Sequence, residues 1–598
     1  MSWCSKRESL EDVTKILVET ALGHEKADLV VKNATLVNVD SGELLENTGI
    51  AVKSGRIVFV GNVDHTIGTN TNVVDAKGKY LAPGFLDGHV HVESSMLTLT
   101  QFARLVLVHG TTTVFIDPHE IANVLGLKGI KLMMDEAKNL PLKVFICVPS
   151  CVPAAPSFET SGAELTSSHV AEALKWKGVI GLGEVMDYAG VLSGNEKVHA
   201  EIKAALKIGR VVEGHSNGLV GKELAAYRAA GISSCHEASK LEEGMERLRM
   251  GMCLMIREAS AWRNLTELIK CVTELKMDSR HIVLVTDDRD VLTLVEHGHM
   301  DDVVRKAIQE GVDPVKAFQM ATLNTAEHFG LDHEIGSLAP SKIADMVILE
   351  DLEKVKVKTV IVDGTVVVEN GKLLFNLASP SYPSFALNTF KLKKLVSAKD
   401  FAVKSSLQNG QVKVRVIGVS EGKALTERLE ETLDIVDGVV KANVEKDILK
   451  LAVVERHRAT GNIGLGFVKG FGLKEGALAS SVAHDSHNII VVGTNDQDMA
   501  YATNTLAQMG GGLIAVRNND VLEFVNLPIA GLMSNEPYET VYLKAKRLIE
   551  ATNKLGSKLK STFMTLSLLA LPVIPKLRLT DLGLIDVEKQ EFVSLLVE

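Results

Sequence analysis

Cysteine is scarce and unpatterned in this chain. Six cysteines (Cys4, Cys147, Cys151, Cys235, Cys253 and Cys271) are spread over 598 residues, and none is paired in C-x-x-C spacing. That excludes a disulfide-stapled scaffold and a thiolate zinc site, so any metal must rely on imidazole and carboxylate. Positive charge is not in excess either: 65 Lys and Arg against 75 Asp and Glu leave a formal net charge of −10. This is the reverse of a nucleic-acid-binding footprint. Long hydrophobic runs are missing. The greasiest stretch, LSLLALPVIP at 566–575, is too short and too proline-broken to cross a bilayer. Met1–Ile16 mixes charges of both signs without the apolar centre of a signal peptide. A cytoplasmic enzyme acting on a small molecule, with no nucleic-acid or membrane partner, is the resulting expectation, and a homodimer is expected.

What is present reads as several domains. With 46% apolar and 23% charged residues, the chain has an ordinary globular profile and the length for two to four domains. ESLEDVTKILVETALG places Leu10, Val13, Ile16, Leu17 and Leu22 at roughly helical spacing, so 1–24 is read as an N-terminal helical segment. Short β-rich runs with Gly, Asn and Asp turn signals follow over 25–82, and runs of the same character return over 335–380.

Between them, apolar β-runs alternate with helical stretches. The runs are GFLDGHVHVE (84–93), TTTVFIDPHE (111–120), LKVFICVPS (142–150), GVIGLGEVM (178–186), RVVEGH (210–215), GISSCHE (231–237), MCLMIRE (252–258) and HIVLVTDD (281–288). Eight such units in about 250 residues predict a (β/α)8 TIM-like barrel over 83–334. An open doubly wound sheet would call for a G-x-G-x-x-G loop after the first strand, and none is there. After the connector NLASPSYPSFALN, mixed strand and helix patterns over 395–598 predict an additional C-terminal α+β domain. The fold class is α/β.

Polar residues in the barrel runs gather at their C-terminal ends: His89 and His91, Asp117 with His119 and Glu120, Glu184, His215, His236, Arg257 with Glu258, Asp287 with Asp288. Those ends share one mouth, where barrel active sites form. Residues 89 and 91 project to one face of a strand. The H-x-H pair, with one histidine on each of strands five and six and an aspartate on strand eight, is therefore read as a divalent-metal site. On ligand softness alone, zinc, iron and manganese fit equally.

This order of ligands (His89, His91, His215, His236, Asp287) resembles the amidohydrolase superfamily. The resemblance implies a small β-sandwich built from the two flanking segments, 25–82 and 335–380. Many binuclear members carry a bridging carboxylated lysine after strand four. Here no lysine stands there, and Glu184 takes its place as the implied bridge. Asp287 is then both a ligand and the acceptor of the attacking water's proton.

HVHVESSMLT, DPHEIANVLG, EGHSNGL, SCHE and LVTDDRD, with the C-terminal stretch GLGFVKGFGLKEGALASSVAHDSHNIIVVG, resemble the bacterial-type adenine deaminase family over essentially the whole chain. The resemblance implies hydrolysis of adenine to hypoxanthine and ammonia by a metal-activated bridging hydroxide attacking C6, in purine salvage or adenine catabolism. It implies two divalent ions, Mn2+ or Fe2+, with Zn2+ also compatible. Another binuclear amidohydrolase, acting on a cyclic amide or an N-acetyl substrate, is the alternative. His215 is followed by Ser216, Asn217 and Gly218, unlike the H-A-G-E stretch of adenosine deaminases.

Further site residues follow from the chemistry. Asp288 is the candidate for recognising a purine nitrogen. His119 and Glu120 are candidates for proton shuttling or orientation, the plain alternative being that DPHE caps the next helix. Glu93 and Ser94 are candidates for substrate contact or for orienting the ligating rings. In HDSH, the residues His484, Asp485 and His487 are read as substrate-facing, with a further metal or a solvated turn as the other readings.

Overall fold

The computed structural model describes residues 5 and 7–597. Cys4 and the first residues of the N-terminal segment lie outside the described residues. A helix at Leu10–Ala21 buries Val13 and Leu17 against Val30, Ala51 and Val58 of the sheet beside it.

That sheet has nine strands and draws on both flanks of the middle region. Its order runs 372–373, 365–369, 357–362, 346–349, 80–83, 29–38, 43–53, 56–61, with 72–75 pairing 29–38. The expected sandwich thus takes the form of one continuous sheet. Tyr80–Pro83 is the reason: it pairs in parallel with Leu29–Asn38 and antiparallel with Met346–Leu349, stitching the two flanks together. Leu29, Val31, Ile50, Val52, Met346, Ile348 and Ile361 form a separate core under it.

The middle region holds β1 (Phe85–Val90), β2 (Thr111–Ile116), β3 (Lys143–Val148), β4 (Val179–Val185), β5 (Val211–Gly214), β6 (Ser234–Cys235), β7 (Cys253–Arg257) and β8 (Ile282–Val285). All are parallel, β1 to β5 in one sheet and β6 to β8 in another. The two sheets meet at both seams. Asp287 N–H donates to the His89 carbonyl at 2.9 Å, and Ser233 N–H donates to the Val212 carbonyl at 2.9 Å. A TIM-like (β/α)8 barrel results. Strands buried on both faces read as continuous apolar runs, which makes most of these strands legible; β6, only Ser234–Cys235, is the exception. Leu86, Phe115, Cys147, Cys253, Met255, Val283 and Val285 fill the interior below the mouth.

The C-terminal region has a ten-stranded, mostly antiparallel sheet. The helix Asp496–Gln508 packs Met499, Ala502 and Leu506 on it, and the Asn495 side chain caps that helix by accepting from Asp498 N–H. The strand Glu427–Val436 escaped the sequence reading because it is mostly exposed and charged. Hydrogen bonds fasten this region across the barrel mouth. Thr160 N–H donates to Asp581 Oδ1 at 2.9 Å, Asn488 Nδ2 to the Thr160 carbonyl at 2.8 Å, and Ser534 N–H to the Met96 carbonyl at 2.9 Å. No helix among the described residues is long and apolar enough to cross a membrane.

Candidate metal centre and active site

The strand ends deliver their polar groups to one buried cluster centred on Glu184. Its Oε1 lies 3.2 Å from His119 Nδ1 and 3.5 Å from His91 Nε2. Its Oε2 lies 2.5 Å from His215 Nδ1 and 3.1 Å from His236 Nε2. One carboxylate thus faces two sets of imidazoles. Asp287 Oδ1 sits 3.2 Å from His91 Nε2 and 3.8 Å from His89 Nε2. The His89 ring stacks on His236 at 4.0 Å.

Local structure fixes these groups. The carbonyl of Asp117 is 2.9 Å from His91 Nδ1. It can only accept, so Nδ1 carries a proton and Nε2 is the ring atom turned toward the cluster, where a cation would displace any proton it holds. The Asp117 carboxylate accepts from Glu184 N–H at 2.8 Å. Gly183 makes that contact feasible, because a Cβ there would lie 2.1 Å from Asp117 Oδ2. The alternative that DPHE caps the helix at His119–Leu125 is not met: that helix has no side-chain cap. The Asp117 side chain is committed to Glu184 instead.

A divalent cation fits this donor set. His89 Nε2, His119 Nδ1 and His236 Nδ1 are buried with no hydrogen-bond partner. Three-residue ligand groups occur at His89, His91 and Asp287, at His89, Glu184 and His236, and at His91, His119 and Glu184. Buried imidazoles without partners are costly unless something ligates them. Burial and the neighbouring His236 and His91 rings hold His89 well below its usual range, hence neutral. Burial opposes charge on Glu184 and Asp287. The surrounding His215, His119 and His236 rings nevertheless hold the first well below the carboxylate range, and His91 and Arg257 do so for the second.

The cavity over this cluster is lined on one side by His91, His119, Glu184, His215, His236, Asp287 and Asp288. The C-terminal region supplies much of the rest, with His484, Asp485, Ala424, Leu568, Leu571 and Ile574. Met186, Leu568, Leu571, Trp262 and Ile574 belong to one small apolar cluster. Asp288 lines the cavity as expected, and burial together with Asp287 pushes its carboxyl up to about 6.

Glu93, Ser94, Glu120 and His487 do not line it. Ser94 Oγ stands behind Asp288, hydrogen-bonding that carboxylate and Glu120 Oε1. Glu93 Oε1 accepts from Ile121 N–H at 3.2 Å, and His487 Nδ1 accepts from Ala483 N–H. Direct substrate contact by Glu93, Ser94 and His487 therefore gives way to a supporting position. The solvated-turn reading of HDSH is overturned: His484 to His487 are all buried.

Several cavity residues were not picked out as site residues. Arg257 Nη1 lies 2.9 Å from Asp287 Oδ2 and also contacts Glu237 Oε1, while its Nε donates to Asn264 Oδ1. Burial opposes ionisation of Glu237, yet Arg257 holds it down at about 2. Arg257 had been visible only as a strand-end polar residue, and Glu237 only as the neighbour of His236. Leu568, Leu571 and Ile574 belong to the apolar stretch 566–575, whose sequence does not show that it faces the barrel mouth.

Comparison with known proteins gives concordant matches. Residues 80–367 match the amidohydrolase family, and residues 423–591 match the adenine deaminase C-terminal domain. The chain is 50% identical to an adenine deaminase of Moorella thermoacetica, over 99% of both chains. It is 46% identical to one of Clostridium botulinum, over 98% of both. Among solved structures, molinate hydrolase aligns at 16% identity and a TM-score of 0.44, over 57% of this chain and 95% of that one.

Proposed function

The chain belongs to the adenine deaminase family, and from that premise we propose that its buried cluster hydrolyses adenine to hypoxanthine and ammonia. The observation that carries the proposal is the meeting of four imidazoles and two carboxylates at one barrel mouth, under a cavity capped by the adenine deaminase C-terminal domain. His89, His91, His215, His236, Glu184 and Asp287 would hold two divalent ions, with His119 within reach of the same centre. Mn2+ or Fe2+ is the proposed occupant, and Zn2+ also suits the ligands. When bound, such ions supply Lewis acidity and bring the pKa of water toward neutrality.

The residues of the chain do the rest. Asp287 has one oxygen pinned by Arg257 and the other turned toward His91, so it is placed to take the proton of a water attacking C6. Asp288 faces the cavity near its titration point and handles the proton at a purine ring nitrogen. Ser94, which also bonds Glu120, holds Asp288 from behind, and Glu93 secures the start of the neighbouring helix through Ile121 N–H. His119 and Glu120 orient Glu184 and the HDSH turn. His484 and Asp485, backed by His487, close the cavity from the C-terminal side.

A role in purine salvage or adenine catabolism, a homodimer and a cytoplasmic location belong to the same proposal. The five cysteines among the described residues, all free and buried, support the last. The division at 25–82 with 335–380, 83–334 and 395–598 is proposed on the grounds of sheet membership, and 1–24 on the grounds of its helix.

The test is an ultraviolet assay of adenine conversion. The full chain is stripped of metal and reloaded in turn with Mn2+, Fe2+ and Zn2+, with a hydantoin and an N-acetyl sugar as controls. Equimolar hypoxanthine and ammonia support the reading; opening of the controls with adenine untouched overturns it.

A further inference from the structure

The DPHE and HDSH stretches, nearly four hundred residues apart in the sequence, bring a second group of ligand atoms together beside the cavity. His484 Nδ1 lies 3.4 Å from Asp485 Oδ1 and 3.6 Å from Glu120 Oε1, and His119 Nε2 lies 3.7 Å from Asp485 Oδ1. These pairs are wider than good hydrogen bonds. They match the ligand-to-ligand edge of about 3.4 Å that bonds of about 2.1 Å give around a tetrahedral ion.

The four side chains are almost fully buried. His484 Nε2, Asp485 Oδ2 and Glu120 Oε2 have no hydrogen-bond partner. Asp288 joins the same corner through Ser94, whose hydroxyl bonds both Asp288 and Glu120. Three buried carboxylates, Glu120, Asp485 and Asp288, therefore share the two imidazoles His119 and His484, and an uncompensated buried charge is expensive. The His119 ring is the wall between the two groups, its Nδ1 turned to Glu184 and its Nε2 to Asp485.

We propose that His119, Glu120, His484 and Asp485 form a separate site for a first-row divalent cation, which clasps the C-terminal domain onto the barrel mouth. Two imidazoles and two carboxylates suit Mn2+, Fe2+, Co2+ or Zn2+. Such an ion balances the excess of carboxylate charge. It also explains why the HDSH turn is buried at the one place where the two domains share the cavity.

The experiment uses the full chain, stripped by chelation and equilibrated with Mn2+ at concentrations that saturate the central cluster. Bound Mn2+ per chain is counted for the wild type, His484→Gln and Asp485→Asn. The wild type is expected to hold one more equivalent than either variant, with the double variant losing no more than each single one. Added Mn2+ is expected to raise the thermal midpoint of the wild type more than that of the variants. Equal stoichiometry in all three overturns the proposal. Should the variants fold poorly, anomalous diffraction from wild-type crystals grown with Mn2+ decides alone. A peak among these four residues supports the site, and peaks confined to the His89–Asp287 cluster refute it. The count is independent of turnover, so a chain inactive on adenine that still binds the extra ion would refute the proposed activity and leave this site standing.

Discussion

Replacing Arg257 with methionine tests how the proton-accepting carboxylate is held. The substitution keeps an unbranched stem and removes three contacts: Asp287 Oδ2 at 2.9 Å, Glu237, and the Asn264 side chain at 2.9 Å. Two carboxylates are then left in a buried site without their cation. Removing one partner of a buried pair costs about 3–5 kcal/mol, so Arg257→Met is expected to lose stability of that order. Asp287 would also be free to turn. A misplacement of about 1 Å at a reacting group costs about 10²-fold in rate, equivalent to about 2.7 kcal/mol in the barrier. Arg257→Lys keeps the charge but loses the planar fork, and should fall between the two. Steady-state rates on adenine are read beside denaturant unfolding, with Glu237→Gln added to Arg257→Met. Relief of one uncompensated carboxylate should restore part of the stability and none of the rate. A rate within twofold of wild type for Arg257→Met would refute the positioning argument.

Three other expectations follow from the buried charges. Asp288→Asn should lower kcat/KM by about 10²–10⁴-fold, as loss of a proton-transfer group does, with the circular dichroism spectrum unchanged; a loss under fivefold would contradict the role. Burial favours neutral rings, but Glu237 and Glu184 push His215 up to about 9, and carboxylate neighbours also hold His91 and His119 well above their usual range. Metal binding near pH 7 should therefore release protons, and affinity should rise with pH; calorimetry in buffers of different ionisation enthalpy would show no dependence if this is wrong. Burial and the nearby Asp485 push Glu159 up to about 8, so between the unfolded carboxyl value, about 4.3, and about 8 the folded state retains a proton that the unfolded state has lost. The group's contribution to stability is present at low pH and is lost as pH rises through that window. Glu159→Gln should raise the thermal midpoint more at pH 8.5 than at pH 5, and an equal shift at both would contradict it.

Much of the barrel was legible because most of its strands are short apolar runs with their polar groups at one end, a pattern that marks the mouth; GISSCHE, which forms only Ser234–Cys235, is the exception. His89, His91, His215, His236 and Asp287 stand out by strand order and Glu184 by the family resemblance, and the structure links all six through Glu184 and Asp287. What sequence order does not carry is which groups meet across elements. Arg257 and Glu237 stand twenty residues apart and find each other only when β6 and β7 pair. The buried state of HDSH depends on a domain whose fastening runs through Thr160, Asn488 and Asp581. The flank strands gave no sign that Tyr80–Pro83 would join them into one sheet.

The most direct test of the central claim combines metal analysis and initial rate on a single preparation of Glu184→Gln, reconstituted with Mn2+. Glu184 touches four histidines through two oxygens, so its neutral isostere should bind fewer ions than the wild type and convert adenine to hypoxanthine at under one hundredth of the rate, about the loss expected from an essential electrostatic group. A variant that retains the wild-type metal content and deaminates adenine at the wild-type rate would contradict the account.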